Sequence, residues 1–240
     1  MIKIEVCVHC DTIEHTIISA AAACEGGAST IELCHDMAND GLTPSHACIH
    51  AARENFTRPG LMVMIRPRPG DFHYSAADLL KMEQQIDMAA ECGADGVVYG
   101  LLQQEGELAL IPLRRLLQRS KKHHLAVTFH RAFDALRQPA PALEQLIDLG
   151  VDRILTSGTK WGSGRNALAG LASIGERVER AGDRIDIVVG GGVTPANAAQ
   201  IVASLSSKRK CFSLHAYSGV QKDGVTNADL VRALCAAANS

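Results

Sequence analysis

Bulky apolar residues gather along the chain in eight short runs, and between the runs their spacing changes to a three-and-four rhythm. The runs are Ile2–Val8, Ser29–Cys34, Leu61–Arg66, Asp95–Leu101, Leu125–His130, Asp152–Ser157, Ile185–Gly190 and Cys211–Tyr217. Leu125–Asp134 shows the pattern clearly. Leu125, Val127 and Phe129 fall on one side of an extended strand, and Ala126, Thr128 and His130 on the other. The first set suits packing under a helix. The second ends in an imidazole, with Arg131 and Asp134 close behind.

The intervening stretches carry helix signals. Leu79, Met82, Ile86 and Ala89 form one apolar face. Thr43-Pro44 and Thr194-Pro195 read as N-caps followed by a first-turn proline. Ser75–Asp78 and Thr226–Asp229 read as capping boxes. Glycines at 26–27, 93 and 150 close helices ahead of the next strand. No Pro- or Ser-rich linker interrupts the alternation. Eight strand–helix units in 240 residues predict an α/β fold, a single-domain (β/α)₈ TIM-type barrel spanning 1–240.

In a closed barrel alternate strand residues face the axis. Taking the more polar face of each strand as inward gives Glu5 and Cys7, Glu32 and Cys34, Met62, Met64 and Arg66, Thr128 and His130, Thr156, and Ser213 and His215. Most lie in the second half of their strand, the end at which this fold builds active sites. A self-neutralising ion network is the competing explanation, but buried charge is costly even when paired.

The loops add donors. Arg66–Tyr74 is stiffened by Pro67 and Pro69 and carries Arg68 and Asp71, a pattern suited to holding a carboxylate or phosphate. Gly190, Gly191 and Gly192 precede a helix, where backbone N–H groups can cradle an anion. Ser157–Arg165 is glycine-rich and holds the single Trp, at 161, which suits a lid or a subunit contact.

Composition narrows the classes. A net charge of −2 disfavours nucleic acid and anionic membranes as partners. No apolar run reaches the roughly 20 residues of a membrane span. Lys3 and Glu5 make the N-terminus too polar for a signal peptide, so a cytosolic protein is expected. Eight cysteines there are expected as thiols. Cys24, Cys48, Cys92 and Cys235 lie in helical stretches as small core residues. Cys7 and Cys10 form a lone C-x-x-C with no second pair to complete a zinc site.

Several segments together resemble the CutC family of copper-homeostasis proteins. They are Ile4–Cys7, Ile31–Cys34, Gly41–Ser45, Ile65–Ser75, Thr128–Asp134, Leu155–Gly158, Gly190–Val193 and His215. The resemblance spans nearly the whole chain. It implies a TIM-type barrel, a cytoplasmic location, self-association as a homodimer or higher homo-oligomer, and copper binding. Tyr217 and the uninterrupted Gly190–Gly192 run depart from the family pattern.

Two functional expectations follow. Glu5-Val-Cys7 and Glu32-Leu-Cys34 repeat a Glu-x-Cys pattern on neighbouring strands, and inward thiolates roughly 5 Å apart suit Cu(I). Cys7 and Cys34 are thus the candidate metal ligands. Met62 and Met64 are expected as core packing. The alternative is a barrel enzyme acting on a small phosphorylated or carboxylated metabolite. Its candidate catalytic residues are Glu5, Glu32, Arg66, His130 and Asp134. Its candidate anion-binding residues are Arg68, Asp71, Ser157, Gly190, Gly191, Gly192 and His215.

Overall fold

The computed structural model describes residues 1–205 and 212–240. Eight parallel strands close into a barrel in chain order, and the last pairs back onto the first. They are β1 (Ile4–His9), β2 (Thr30–Cys34), β3 (Leu61–Met64), β4 (Gly96–Tyr99), β5 (Ala126–Phe129), β6 (Arg153–Thr156), β7 (Asp186–Val189) and β8 (Phe212–Ala216). Seven of the expected runs contain one of them whole, and β1 runs one residue past the end of Ile2–Val8. Cys211, placed at the start of the last run, lies outside the described residues.

The helices are α1 (Ile13–Gly26), α2 (His46–Asn55), α3 (Ala76–Glu91), α4 (Leu110–Lys122), α5 (Pro139–Leu149), α6 (Leu171–Ala181), α7 (Pro195–Leu205) and α8 (Ala228–Ala238). A small hairpin, β9 (Gln221–Lys222) and β10 (Val225–Thr226), precedes α8. The Ser75–Asp78 capping box forms in full. Two other caps sit elsewhere than expected. Ser45, not Thr43, caps α2, because Thr43 Oγ1 is occupied by the Arg66 N–H and by Gln85. Asn227, not Thr226, caps α8, because Thr226 still belongs to the hairpin.

Strand alternation divides the apolar residues into two groups. Val6, Val8, Ile31, Leu33, Val63 and Val127 face outward into the main core beneath the helices. Burying each such side chain contributes about 1.5–3 kcal/mol. Inside the barrel, Cys7, Cys34, Met62, Met64 and Val98 form a separate small cluster. Gly96 leaves room for Met62, whose Sδ would meet a Cβ there at 2.6 Å. Among the described residues, no helix is long and apolar enough to cross a membrane.

Candidate functional site

A chain of alternating charge runs through the barrel interior. Arg153 Nη1 donates to Glu5 Oε2 at 2.6 Å, and its Nε lies 3.5 Å from Asp186. Glu5 Oε1 faces His215 Nδ1 at 3.0 Å, as expected of register partners on β1 and β8. His215 Nε2 lies 3.8 Å from Glu32. Burial opposes charge on Glu5, but Arg153 and then His215 outweigh it and hold the carboxyl well below its usual range. Burial also opposes charge on His215. Glu32, the Cys7 thiol and Glu5 outweigh it and raise the imidazole well above its ordinary value. On Glu32 burial, with the charge on Glu5 adding to it, outweighs the lowering by His215 and pushes the carboxyl up.

Arg153 and Asp186 were not expected inside. On β6 the polar Thr156 looked like the inward residue. Instead Ile154 packs into the outer core, Arg153 reaches Glu5, and Leu155 lines the cavity. Thr156 points outward, where Asp134 and Arg177 hold its hydroxyl.

Above this chain, at the carboxyl ends of the strands, opens a cavity of about 310 Å³. Glu32, His215, Cys7 and Cys34 line its floor, while Arg66 and His130 form part of its wall. The sulfurs of Cys7 and Cys34 and one Glu32 oxygen lie within 4.8 Å of one another. The Cys7 thiol donates toward Met37 Sδ at 4.0 Å, adding a third sulfur that the sequence reading missed. Met37 sits on a short turn, Met37–Asn39, flanked by Asp36 and Asp40 at φ of 51° and 62°. Left-handed backbone suits Asp better than most residues, so the H-D-M-A-N-D-G run carried a signal for this turn. The Cys34 thiol is raised well above its ordinary value by the neighbouring Cys7 and by burial. Cys10, the other half of the C-x-x-C, faces the outer core.

Arg66 is buried at 2% exposure, but its guanidinium serves the loops. Nη1 donates to Asn39 O (2.6 Å) and Gly41 O (3.1 Å), and Nη2 to Gly70 O (2.8 Å). It thereby clamps the turn that presents Met37. Only Nε is left without a partner. Arg68 and Asp71 are not part of the cavity lining. They pair at 2.9 Å, and Arg68 also reaches Asp78 and the His73 carbonyl, so both fasten their own loop.

His130 Nδ1 accepts the Ala132 N–H at 3.1 Å, which leaves the proton of the neutral ring on Nε2. That nitrogen is buried and has no partner among the described residues. Burial, aided by the charge on Arg66, lowers the imidazole to about 3. Asp134 does not line the cavity. Its carboxylate is filled by Ser157 N and Oγ (2.9 Å each), Thr156, Arg131 (3.1 Å) and Arg177 (3.4 Å). Ser157 is committed to the same knot and lies outside the lining. Gly191 and Gly192 do line the mouth, at φ of 99° and 77°. Gly190 packs just behind them, where a Cβ would lie 3.4 Å from His215.

The family model for the CutC family matches residues 2–212. The chain belongs to the CutC family. A family protein CutC of Bacteroides fragilis is 43% identical over 199 residues, 83% of this chain and 77% of its own. One from Vibrio vulnificus is 42% identical over 206 residues, 86% of this chain and 78% of its own. The crystal structure of a CutC from Streptococcus agalactiae, named for copper homeostasis, superposes with a TM-score of 0.79 at 30% identity. It covers 90% of this chain and 98% of that one. Two buried thiols and a half-buried thioether gathered at one point form a donor set that fits a soft ion such as Cu(I).

Proposed function

We propose that the chain binds one Cu(I) ion on the floor of the cavity and takes part in copper homeostasis. The observation that carries this reading is the sulfur group, with Cys7 and Cys34 within 4.8 Å and Met37 at 4.0 Å from Cys7. Thiolate and thioether sulfur select Cu(I) over harder ions. Glu32 Oε2, which accepts the Cys34 S–H at 3.5 Å, can relay the thiol proton to solvent as the metal arrives. A cytoplasmic location belongs to the same proposal, because a reducing compartment keeps the two thiols from oxidising. Self-association does too. Ile13, Ile17 and Ile18 are exposed on α1 and offer an apolar patch to a second copy. Sedimentation velocity, wild type against Ile17→Lys, reads that part directly.

The test of the metal site is an anaerobic competition titration against a Cu(I) chelator. The Cys7→Ser/Cys34→Ser variant is expected to lose binding, and Met37→Leu to weaken it about tenfold, near 1.4 kcal/mol. Unchanged affinity in the double variant would remove these thiols as ligands.

A second reading is favoured by one specific observation. Glu32 Oε1, His130 Nε2 and Arg66 Nε are all buried without a partner, on residues lining one cavity. Cu(I) has no use for a guanidinium N–H. The second reading is an enzyme that works on a small anionic metabolite in this cavity, with Glu32 and His130 as its acid–base groups. Its test is turnover of candidate metabolites by the metal-free protein, lost in Glu32→Gln.

A further inference from the structure

Three side chains that line one cavity each carry a buried polar atom without a partner among the described residues, which is unusual, because buried polar groups nearly always find partners. Glu32, Arg66 and His130 are 4%, 2% and 5% exposed. His130 Nε2 and Arg66 Nε are donors, whereas Glu32 Oε1 is an acceptor if ionised. Leaving such a group unsatisfied is costly unless something else answers it.

The mouth adds a second kind of donor. The backbone N–H groups of Gly191 and Gly192 have no partner among the described residues. Both glycines line the cavity and the groove that continues from it past Trp161. Arg131 lines the same two spaces. Its Nε and Nη2 are held by Asp134 (3.1 Å) and Ser157 (2.9 Å), and its Nη1 has no partner among the described residues. Asp134 is shared with Arg177, so one carboxylate answers two guanidiniums and positive charge remains beside the glycines. Asp40 is the acid at this mouth, and it is exposed to solvent, where its field is screened.

A cavity of about 310 Å³ has room for roughly ten water-sized atoms, at near 30 Å³ each. We propose that it binds a small organic phosphate with a short oxygenated carbon chain. The phosphate would sit at Gly191, Gly192 and Arg131, and the oxygenated carbon chain would lie against the His130, Arg66 and Glu32 side chains that line the cavity. A neutral imidazole N–H is suited to a carbonyl or hydroxyl oxygen. Amide N–H groups with a guanidinium are suited to a phosphate dianion. The proposal rests on the second reading of the cavity, as a small-molecule site.

The experiment uses the full chain, reduced and freed of metal, with dihydroxyacetone phosphate as the probe. Calorimetry and amide NMR follow its titration, with inorganic phosphate and unphosphorylated dihydroxyacetone alongside. The phosphorylated ketone is expected to bind at millimolar concentration or tighter, about tenfold tighter than inorganic phosphate. The unphosphorylated ketone is expected to give no heat. The Gly191 and Gly192 amide signals should move in the wild type, so this readout needs no variant to fold. His130→Gln and Arg131→Met should each weaken binding about tenfold. No binding of the probe at roughly 10 mM, unmoved glycine amides, or equal binding of a three-carbon carboxylate would overturn the proposal. Binding without any turnover or proton exchange would leave this site standing and remove the catalytic reading alone.

Discussion

Arg153 on β6 and Glu5 on β1 meet at 2.6 Å inside the barrel, although 148 positions separate them in the chain. Two strands, β7 and β8, lie between them around the wall. Glu5 is 1% exposed, so without Arg153 its charge is left in a medium that solvates it poorly. Breaking a buried pair from one side costs about 3–5 kcal/mol. Arg153→Met should therefore lower the unfolding free energy in urea by about that much. Glu5→Gln combined with Arg153→Met should recover a large part. A loss near that of a surface pair, below about 1 kcal/mol, would contradict this account.

His130 sets an acid limit on stability. The unfolded imidazole titrates near 6.5, and burial lowers the folded one to about 3. Between these values the unfolded state binds more protons, so stability rises with pH. The contribution is present above pH ~6.5 and is lost as pH falls toward about 3. Its slope is at most about 1.4 kcal/mol per pH unit. Urea melts of the metal-free protein from neutral pH down to about pH 4.5 should show it, and His130→Asn should flatten the profile there. An unchanged slope in the variant would assign the acid limb to other groups. Glu5, held low, adds loss only below the ordinary glutamate range, ~4.3.

Proton release should accompany Cu(I) uptake. The Cys34 thiol is raised well above its ordinary value, so it is protonated at neutral pH and must lose that proton to become a ligand. Apparent Cu(I) affinity should then rise by about tenfold or more per pH unit between pH 6 and 8. Calorimetry in buffers of different ionisation heat counts the protons released. No dependence on buffer would show that Cys34 does not bind as thiolate.

Gly100 is required by the imidazole beside it. A Cβ there would lie 2.6 Å from His130 Nδ1 and 2.9 Å from Ala132 Cβ. Gly100→Ala should cost about 1–3 kcal/mol as overpacking. It should also break the Ala132 N–H to His130 bond, visible in the nitrogen shifts of the imidazole. An intact tautomer signal at wild-type stability would show that the loop yields freely.

The barrel was legible because strand alternation and helical spacing are properties of neighbours in sequence. Cys7, Glu32, His130 and His215 could be placed on inward faces for that reason. β6 defeated the same logic. Choosing the more polar face selected Thr156, yet Asp134 and Arg177 satisfy that hydroxyl on the outside, while Arg153 turns in to answer Glu5. Partners so distant in the chain leave no local trace. The loop arginines misled in another way. Prolines around Arg66 and Arg68 suggested donors held for a ligand, but carbonyls of residues 39, 41, 70 and 73 take most of them. Met37 was missed because turn residues follow no period.

The charge chain also bears on the order in which the molecule is made. A ribosome releases β1 long before β6, and β8 emerges last of the barrel strands. Through the first five strands the inward positions offer Glu5 no cation, since Arg66 is tied to loop carbonyls. A nascent half-barrel would have to keep water around that carboxylate, because dehydrating it alone is too costly. Arg153 and then His215 arrive with the second half and relieve the debt, so drying of the centre belongs to the closing step of synthesis.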